Sequence, residues 1–399
     1  MTRYHDPNPG SSIPLPPDAA GPMPTPAEEA DTPEVNSRWS STSDEGYLAL
    51  VWRRFRRSTI GMIGLVLVVL LIVVTIFADF FAPQDPKAAD IGFAPPDHVS
   101  FFKGDGSFTL IPVVFPIAEG DELDPITFQP LVGPDYDNPT ELGFFVRGYE
   151  YRLLWVIPAN IHFFGPVDPE KTVHFLGTDK FGRDILARGF VGARITLTIA
   201  LVVVTLTTIV GTLVGITSGY IGGRFDSWVQ RVVEFILMFP QLPLYLALTT
   251  LIPATAPSNV FIAFVIGVIA ALGWAQLSRE VRSKTLSLAR IEYVRAAIAV
   301  GASDRRIVVR HILPNVLSHI IVAVTLAIPS VVLLESFLGF LGFAVKPPLI
   351  SWGLMLQDTS SYSVIGSYPW ILSPVIFVLI TVFAFNALGD GLRDAVDPY

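Results

Sequence analysis

Six apolar runs punctuate the chain: Ile60 to Phe77, Ile195 to Tyr220, Ser227 to Ile252, Asn259 to Leu277, Asn315 to Leu338 and Pro369 to Leu388. Each is near the ~20 residues a helix needs to cross the hydrocarbon of a bilayer, so the pattern predicts six transmembrane helices. Directly before the first run stands WRRFRRS, with Arg53, Arg54, Arg56 and Arg57, which by the positive-inside rule places the N-terminus in the cytoplasm. Six crossings then return the C-terminus to the same side. The polar stretch 279–314 agrees with this, since Arg279 to Arg310 carries eight basic and three acidic residues and falls inside. Between Phe340 and Tyr368, on the outer side, the only charges are Lys346 and Asp358.

Two segments lack the apolar pattern. Residues 1–46 hold PNPG, IPLPPD and GPMPTPAEEADTPE, with eight acidic residues and almost no large apolar ones, and read as a disordered cytoplasmic tail. The following 47–81 reads as the first transmembrane helix with its basic flank. Residues 82–173 form an acidic outer segment, with 14 acidic against four basic residues between Ala82 and Glu170. Its short alternating stretches bounded by turn residues, as in PITFQPLVGPDYDNP, favour a small β-containing extracytoplasmic insert, with an irregular loop as the alternative. The remainder, 174–399, carries five of the six spans.

Composition sharpens the class. Of 399 residues 51% are hydrophobic and 16% charged, with mean hydropathy +0.54, which excludes an ordinary soluble enzyme. The fold class is an all-α polytopic membrane protein with a small extracytoplasmic insert. No Cys is present, so thiolate metal sites and Cys nucleophiles are excluded. No secretory signal is expected, because the first apolar run begins far behind a polar tail and is long enough to remain as a span. No G-x-x-x-x-G-K-[ST] phosphate loop, H-E-x-x-H pair or G-x-S-x-G elbow occurs, so ATP hydrolysis, metalloprotease and hydrolase chemistry by those routes are not expected of this chain.

Within 279–314, Glu292 to Val300 reads as a short helix containing Ala296, Ala297 and Ala299. Gly301 is suited to close it, Ser303 to cap the next, Asp304 to favour that helix's N-terminus, and Pro314 to mark entry into the bilayer. RAAIAVGASDRRIVVRHILP resembles the cytoplasmic coupling loop of ABC importer permeases through Ala296, Ala297, Gly301, Leu313 and Pro314. Arg295 stands where that pattern often has Glu, and His311 where it often has an aliphatic residue. HFLGTDKFGRDILARGFVGARITLT is similar to the LGTD-x-x-GRD stretch of C-type permease subunits of the dipeptide, oligopeptide and nickel importers, and the resemblance continues to ALGDGLRDAVDP. It rests on Gly177, Thr178, Asp179, Gly182, Arg183, Asp184, Gly192, Ala193 and Arg194. From the residues themselves, Thr178 or Asp179 is a candidate helix cap and Asp179 can pair with Arg183. Phe181, Ile185, Leu186 and Phe190 share one face of a helix lying at the outer surface.

The resemblance implies an ATP-driven importer subunit, half of a path for di- or oligopeptides delivered by a binding protein. It implies a second, B-type permease and two ATP-binding subunits as partners, with ATP and Mg on those partners and no cofactor on this chain. It gives Glu292, Arg295, Ala296, Ala297, Gly301, Ala302, Asp304, Leu313 and Pro314 the coupling role. Related scaffolds carry nickel, opines or oligosaccharides. The location implied is the bacterial inner membrane.

Other readings turn on single residues. An autonomous secondary transporter calls for an inverted repeat and mid-membrane ionisable residues, which the sequence does not display. A metal-dependent enzyme in the insert would use His98 or His162, which lack ligand spacing. Glu335 lies 21 residues after Pro314, about 30 Å along a helix, and is a pathway candidate at the outer mouth or a tie between helices. Glu234 is a second pathway candidate and is placed to pair with Arg231. His319 reads as a packing residue. Gly211, Gly215 and Gly219 read as a helix-packing stripe, and Pro240, Pro243 and Pro329 as sites of bending.

Overall fold

In the computed structural model, residues 47–102, 107–123, 130–154, 156–253, 255–343 and 345–396 are described. The tail 1–46 lies outside them. Residues 50–399 form one compact unit.

Among the described residues five helices are long and apolar enough to cross a membrane, or six if one pair bent at a short break is counted as a single span. The first is α2 (Thr59–Ile76), preceded by the short basic α1 (Tyr47–Phe55) and followed by a single turn, α3 (Ala78–Phe81). Ser58 caps α2 by accepting from the Gly61 amide. At Gly64 the backbone of Ala387–Leu388 lies where a Cβ would stand, so α2 and the last helix, α13 (Pro374–Val396), touch backbone to backbone.

The second crossing is α4 (Ile185–Ile221), a 37-residue helix begun by Asp184, whose carboxylate accepts from the Ala187 amide. It packs along α7 (Ser258–Leu288). Gly211, Gly215 and Gly219 face the carbonyls of Trp274, Ser278 and Arg282 in turn, at 2.9, 2.6 and 2.9 Å from where a Cβ would sit. The stripe is a backbone-to-backbone seam, which only glycine allows at that separation.

The third apolar run is broken. α5 (Gly223–Met238) and α6 (Gln241–Thr249) meet at 80°, with Phe239 and Pro240 extended between them. Proline has no N–H and disfavours helix in the residue before it, so Pro240 ends α5 at Met238. By contrast α10 (Leu313–Phe340) continues unbroken through Pro329. It is entered from α9 (Asp304–Ile307) through a π-helical turn, Val308–Ile312, in which Leu313 N–H reaches the carbonyl of Val308. Pro314 therefore does not begin the helix. The chain is helical from Asp304 onward, and the wider turn ahead of Pro314 accommodates a ring that would crowd an ordinary α-turn.

Outside the helices lies a β region, as expected. Strands β1 (His98–Phe102), β2 (Phe108–Phe115), β3 (Ile117–Leu123), β4 (Pro130–Pro134), β5 (Thr140–Leu153) and β6 (Ile157–Pro166) form an antiparallel sheet β1-β2-β5-β6 and a hairpin β3-β4. Val113, Val114 and Phe115 are its buried residues on β2. His162 is fully buried on β6 and fixes the sheet to α3, its Nδ1 2.9 Å from the Asp79 carbonyl and its Nε2 3.1 Å from the Tyr149 carbonyl. Between α10 and α13 the chain folds back through α11 (Trp352–Leu356) and α12 (Tyr362–Ser367). Trp352 is buried against α4, donating from Nε1 to the Gly189 carbonyl at 2.8 Å.

Candidate functional site

Two built regions lie at opposite ends of α4, some 55 Å apart at 1.5 Å per residue. At the Ile221 end is the 279–314 loop. Its helix α8 (Glu292–Ala299) begins at Ile291 and ends before Gly301, which adopts φ +82°, as expected of a helix-closing glycine. One side chain of α8, Val294, is fully buried, in a cluster with Ile216 of α4, Val281 of α7 and Ile307, Ile312, Val316 and Ile320 of the α9–α10 segment. Two polar ties assist it. Asn315 Nδ2 donates to the Tyr293 hydroxyl at 3.2 Å, and the Tyr220 hydroxyl donates to the Asp304 carboxylate at 2.7 Å. Ser303 holds the cap position of α9, but its hydroxyl accepts no amide, so Asp304 is held by Tyr220 rather than through a cap.

The rest of α8 faces outward. Ile291, Tyr293, Ile298 and Val300 are exposed beside Glu292, Arg295, Ala296 and Ala299, and Ala297 is half-buried. Ala302 packs on the buried cluster, Leu313 likewise, and Pro314 is exposed. The site is an amphipathic peg: one buried root, an apolar exposed crown and the flanking cations Arg305, Arg306 and Arg310. Behind it, Arg282 of α7 forms a two-pronged ion pair with Asp226 of α5, both bonds 2.5 Å, and Ser218 of α4 donates to the same carboxylate. Four helices thus meet behind the peg.

At the Ile185 end the glycine-rich motif is not a surface helix. Gly177 and Gly182 have φ +75° and +74°, and Thr178 bridges to Asp184, so 177–184 is a tight loop. A Cβ at Gly182 would stand 1.9 Å from the Asp90 carbonyl. Thr178 cannot cap a helix because it is spent elsewhere: it is fully buried, donates to the Ile91 carbonyl and accepts from the Ala94 amide. Asp179 does pair with Arg183, at 2.7 Å, but within this loop. Phe181 is accordingly exposed between Lys180 and Arg183 instead of sharing a face with Ile185. The cap falls to Asp184. Gly192 and Ala193 lie in the buried face of α4, and Arg194 closes the end of the first span, donating to the carbonyls of Thr75 and Ile76 and pairing with Asp79 at 2.6 Å. The motif is a clasp holding the segment 90–94 and the end of α2 against α4.

Sequence reasoning missed the polar heart of this clasp. His174 is buried, with Nε2 3.3 Å from Asp90, Nδ1 3.2 Å from Asp184 and its amide donating to Asp97 at 2.6 Å. Burial disfavours its charged form, but the Asp184 and Asp90 carboxylates prevail and raise the imidazole to about 9. The same hydrogen bond brings Asp90 down to about 2, while burial pushes Asp97 up. Gln84 Nε2 lies 2.7 Å from Nδ1, so the ring nitrogen has a partner whether or not it carries a proton. Only the position of His174 ahead of LGTD hinted at this.

The residues proposed for a pathway are not brought together. Glu335 is fully buried between α10 and α4, accepting from Thr196 at 3.2 Å. Glu234 is exposed on α5, and no ion pair joins it to Arg231 among the described residues. His319 instead approaches Glu280, at 3.4 Å. A cavity of about 650 Å³ does open between α4, α6, α7 and α10, lined by Thr207, Gln241, Tyr245, Gln276, Ser330 and Phe337 among others. No group of three metal-ligating side chains occurs among the described residues, and His98 lies against Phe115 and Tyr136.

A bundle of long apolar helices with an exposed peg at one end and a clasp at the other is the architecture of a multi-pass membrane protein. Residues 211–399 match the family described as binding-protein-dependent transport system inner membrane component, and residues 46–96 match the N-terminal transmembrane domain of oligopeptide transport permease C. The oligopeptide transport system permease protein OppC of Haemophilus influenzae is 41% identical over 226 residues, 56% of this chain and 70% of its own. The OppC protein of Escherichia coli K12 is 42% identical over 226 residues, covering 56% and 72%. The dipeptide transport system permease protein DppC of Bacillus subtilis is 36% identical over 230 residues, covering 58% and 70%. The chain belongs to the family of binding-protein-dependent transport permeases.

Proposed function

We propose that this chain is one permease subunit of an ATP-driven importer for di- or oligopeptides. It works with a second permease, two separate ATP-binding subunits that carry ATP and Mg, and a binding protein on the far side of the membrane. The observation that carries this reading is the α8 peg. A short helix with apolar residues exposed on its crown and one residue rooted in a four-helix junction fits a groove on a soluble partner and can pass that partner's motion to α4, α7 and α10. The names of the relatives support peptides as cargo. Both termini and α8 then lie in the cytoplasm, as the arginines before α2 and in the loop favour. The cavity between α4, α6, α7 and α10 is this subunit's half of the path, with Gln241 and Ser330 as polar groups without fixed charge in its lining.

The test is to separate hydrolysis from uptake. Gly301 donates its N–H to the Ile298 carbonyl at 2.9 Å with φ +82°, and proline can supply neither that bond nor that angle. Gly301→Pro and Ala297→Arg, assembled with all partner subunits in liposomes, are expected to insert normally and lose peptide uptake at least about tenfold, which corresponds to ~1.4 kcal/mol of lost coupling. Uptake at the native rate per ATP hydrolysed would remove the coupling role from α8.

A further inference from the structure

The exit of the first span carries an aromatic wedge that neither the transport reading nor the coupling peg uses. Phe144 and Phe145 sit side by side on β5, 67% and 65% exposed. Phe145 has φ +55°, a backbone setting that a bulky residue inside a strand rarely adopts. Strain of this kind persists when something offsets it, and these rings bury too little within the chain to do so. Their position identifies the missing surface. Phe145 lies 6.3 Å from Phe80 of α3 and 5.9 Å from Phe163 of β6, ring centre to ring centre, and Phe80 follows directly on the end of α2. The outward face of α2, with Val66, Val69, Ile72, Val73 and Ile76 exposed, meets lipid by its composition. Through Phe80, Phe145 adjoins the end of that span. Around it are groups suited to the headgroup layer: the Asp79–Arg194 ion pair and the Tyr149 hydroxyl, which donates to the Asp79 carbonyl.

We propose that Phe144 and Phe145 insert into the headgroup and upper acyl region of the leaflet from which the first span emerges, so that the β region is seated on lipid along β5. Aromatic side chains favour this zone because an apolar ring can leave water there beside polar neighbours. The occupant is the bilayer surface that already bounds α2, reached without a gap, and so no further partner is required.

Because the chain contains no Cys, a single introduced thiol can carry a nitroxide without background labelling. The chain, labelled before assembly with its partner subunits in phosphatidylcholine nanodiscs, would carry the nitroxide in turn at Phe144→Cys, Phe145→Cys, Val66→Cys as a lipid reference and Glu119→Cys, exposed on the separate β3-β4 hairpin, as a water reference. Relaxation by oxygen against that by a water-soluble nickel chelate reports depth. At 144 and 145 oxygen is expected to dominate, with depth readings between those at 66 and 119. A nickel-dominated signal like that at 119 would overturn the proposal, as would low access to both reagents, which would mean a protein partner covers the pair. Against the chance that a Cys variant misfolds, the unaltered chain in nanodiscs holding a phosphatidylcholine with a diazirine near the carbonyl should be photolabelled at residues 144–145. Absence of label there, with label present on α2, overturns it equally.

Discussion

Gly182 leaves no space for any other residue, since a methyl group would fall 1.9 Å from the Asp90 carbonyl at a φ of +74°. Gly182→Ala is therefore expected to cost about 1–3 kcal/mol from the backbone angle alone, with the clash added. The readout is loss of folded, monodisperse protein in mild detergent. His174 gives a prediction in pH. Its folded value, about 9, lies above the unfolded 6.5, so its stabilisation is complete below 6.5 and is lost as pH rises through about 9. Asp90 works in the opposite sense, being held near 2 against 3.8 unfolded, so its contribution is present above 3.8 and fades as pH falls through about 2. Thermal unfolding between pH 6 and 10 should show a falling midpoint in the native chain and a flatter profile in His174→Gln. A flat profile in the native chain would mean the imidazole is not held charged by its carboxylates.

Among the elements, the α4–α7 seam depends on three glycines set four residues apart, and Gly215→Leu places a branched side chain against the Ser278 carbonyl. It is expected to separate the helices and cost roughly 1–3 kcal/mol or more, seen as a drop in the detergent unfolding midpoint, whereas Gly267→Ala, with open space beside it, should be silent. Five of the spans, the seam and α8 were legible in the sequence because each depends on local periodicity or spacing, whereas the run Ser227 to Ile252 is split into α5 and α6. The short loop 177–184 was not legible. Phe181 has helical spacing to Ile185, Leu186 and Phe190, which do lie on α4, yet Phe181 itself stays in the loop, which is fixed by Thr178 bonding to Ile91 and Ala94, more than eighty residues away. Likewise the extension of α4 back to Ile185 follows from Asp184 being free to cap once Thr178 and Asp179 are engaged elsewhere. The seat of Glu335 depends on Thr196, 139 residues distant, and so spacing along α10 could not locate it.

For the whole molecule, a subunit that forms half of a path and holds no phosphate loop should move nothing by itself. Reconstituted alone, it is expected to show no ATP-dependent uptake of a labelled peptide, and uptake should appear only when the partner subunits are added. Transport by the lone chain would favour an autonomous carrier. The two ends also answer to different losses. Arg194→Ala, which frees the Thr75 and Ile76 carbonyls and unpairs Asp79, should lower stability by about 1–3 kcal/mol without changing the ratio of hydrolysis to uptake in whatever folds. The Ala297 and Gly301 substitutions should do the reverse.

The length of α4 has a geometric consequence. One unbroken helix joins the clasp at Ile185 to the junction behind Val294, with its foot fixed by Asp184, Arg194 and Trp352. A stiff rod of about 55 Å turns small angles into distances: tilting it by about 5° about that foot sweeps the other end through about 5 Å, close to one helical turn. A change too slight to disturb any bond in the clasp is thus large enough, at the opposite face of the membrane, to shift one helix past its neighbour by a full row of side chains.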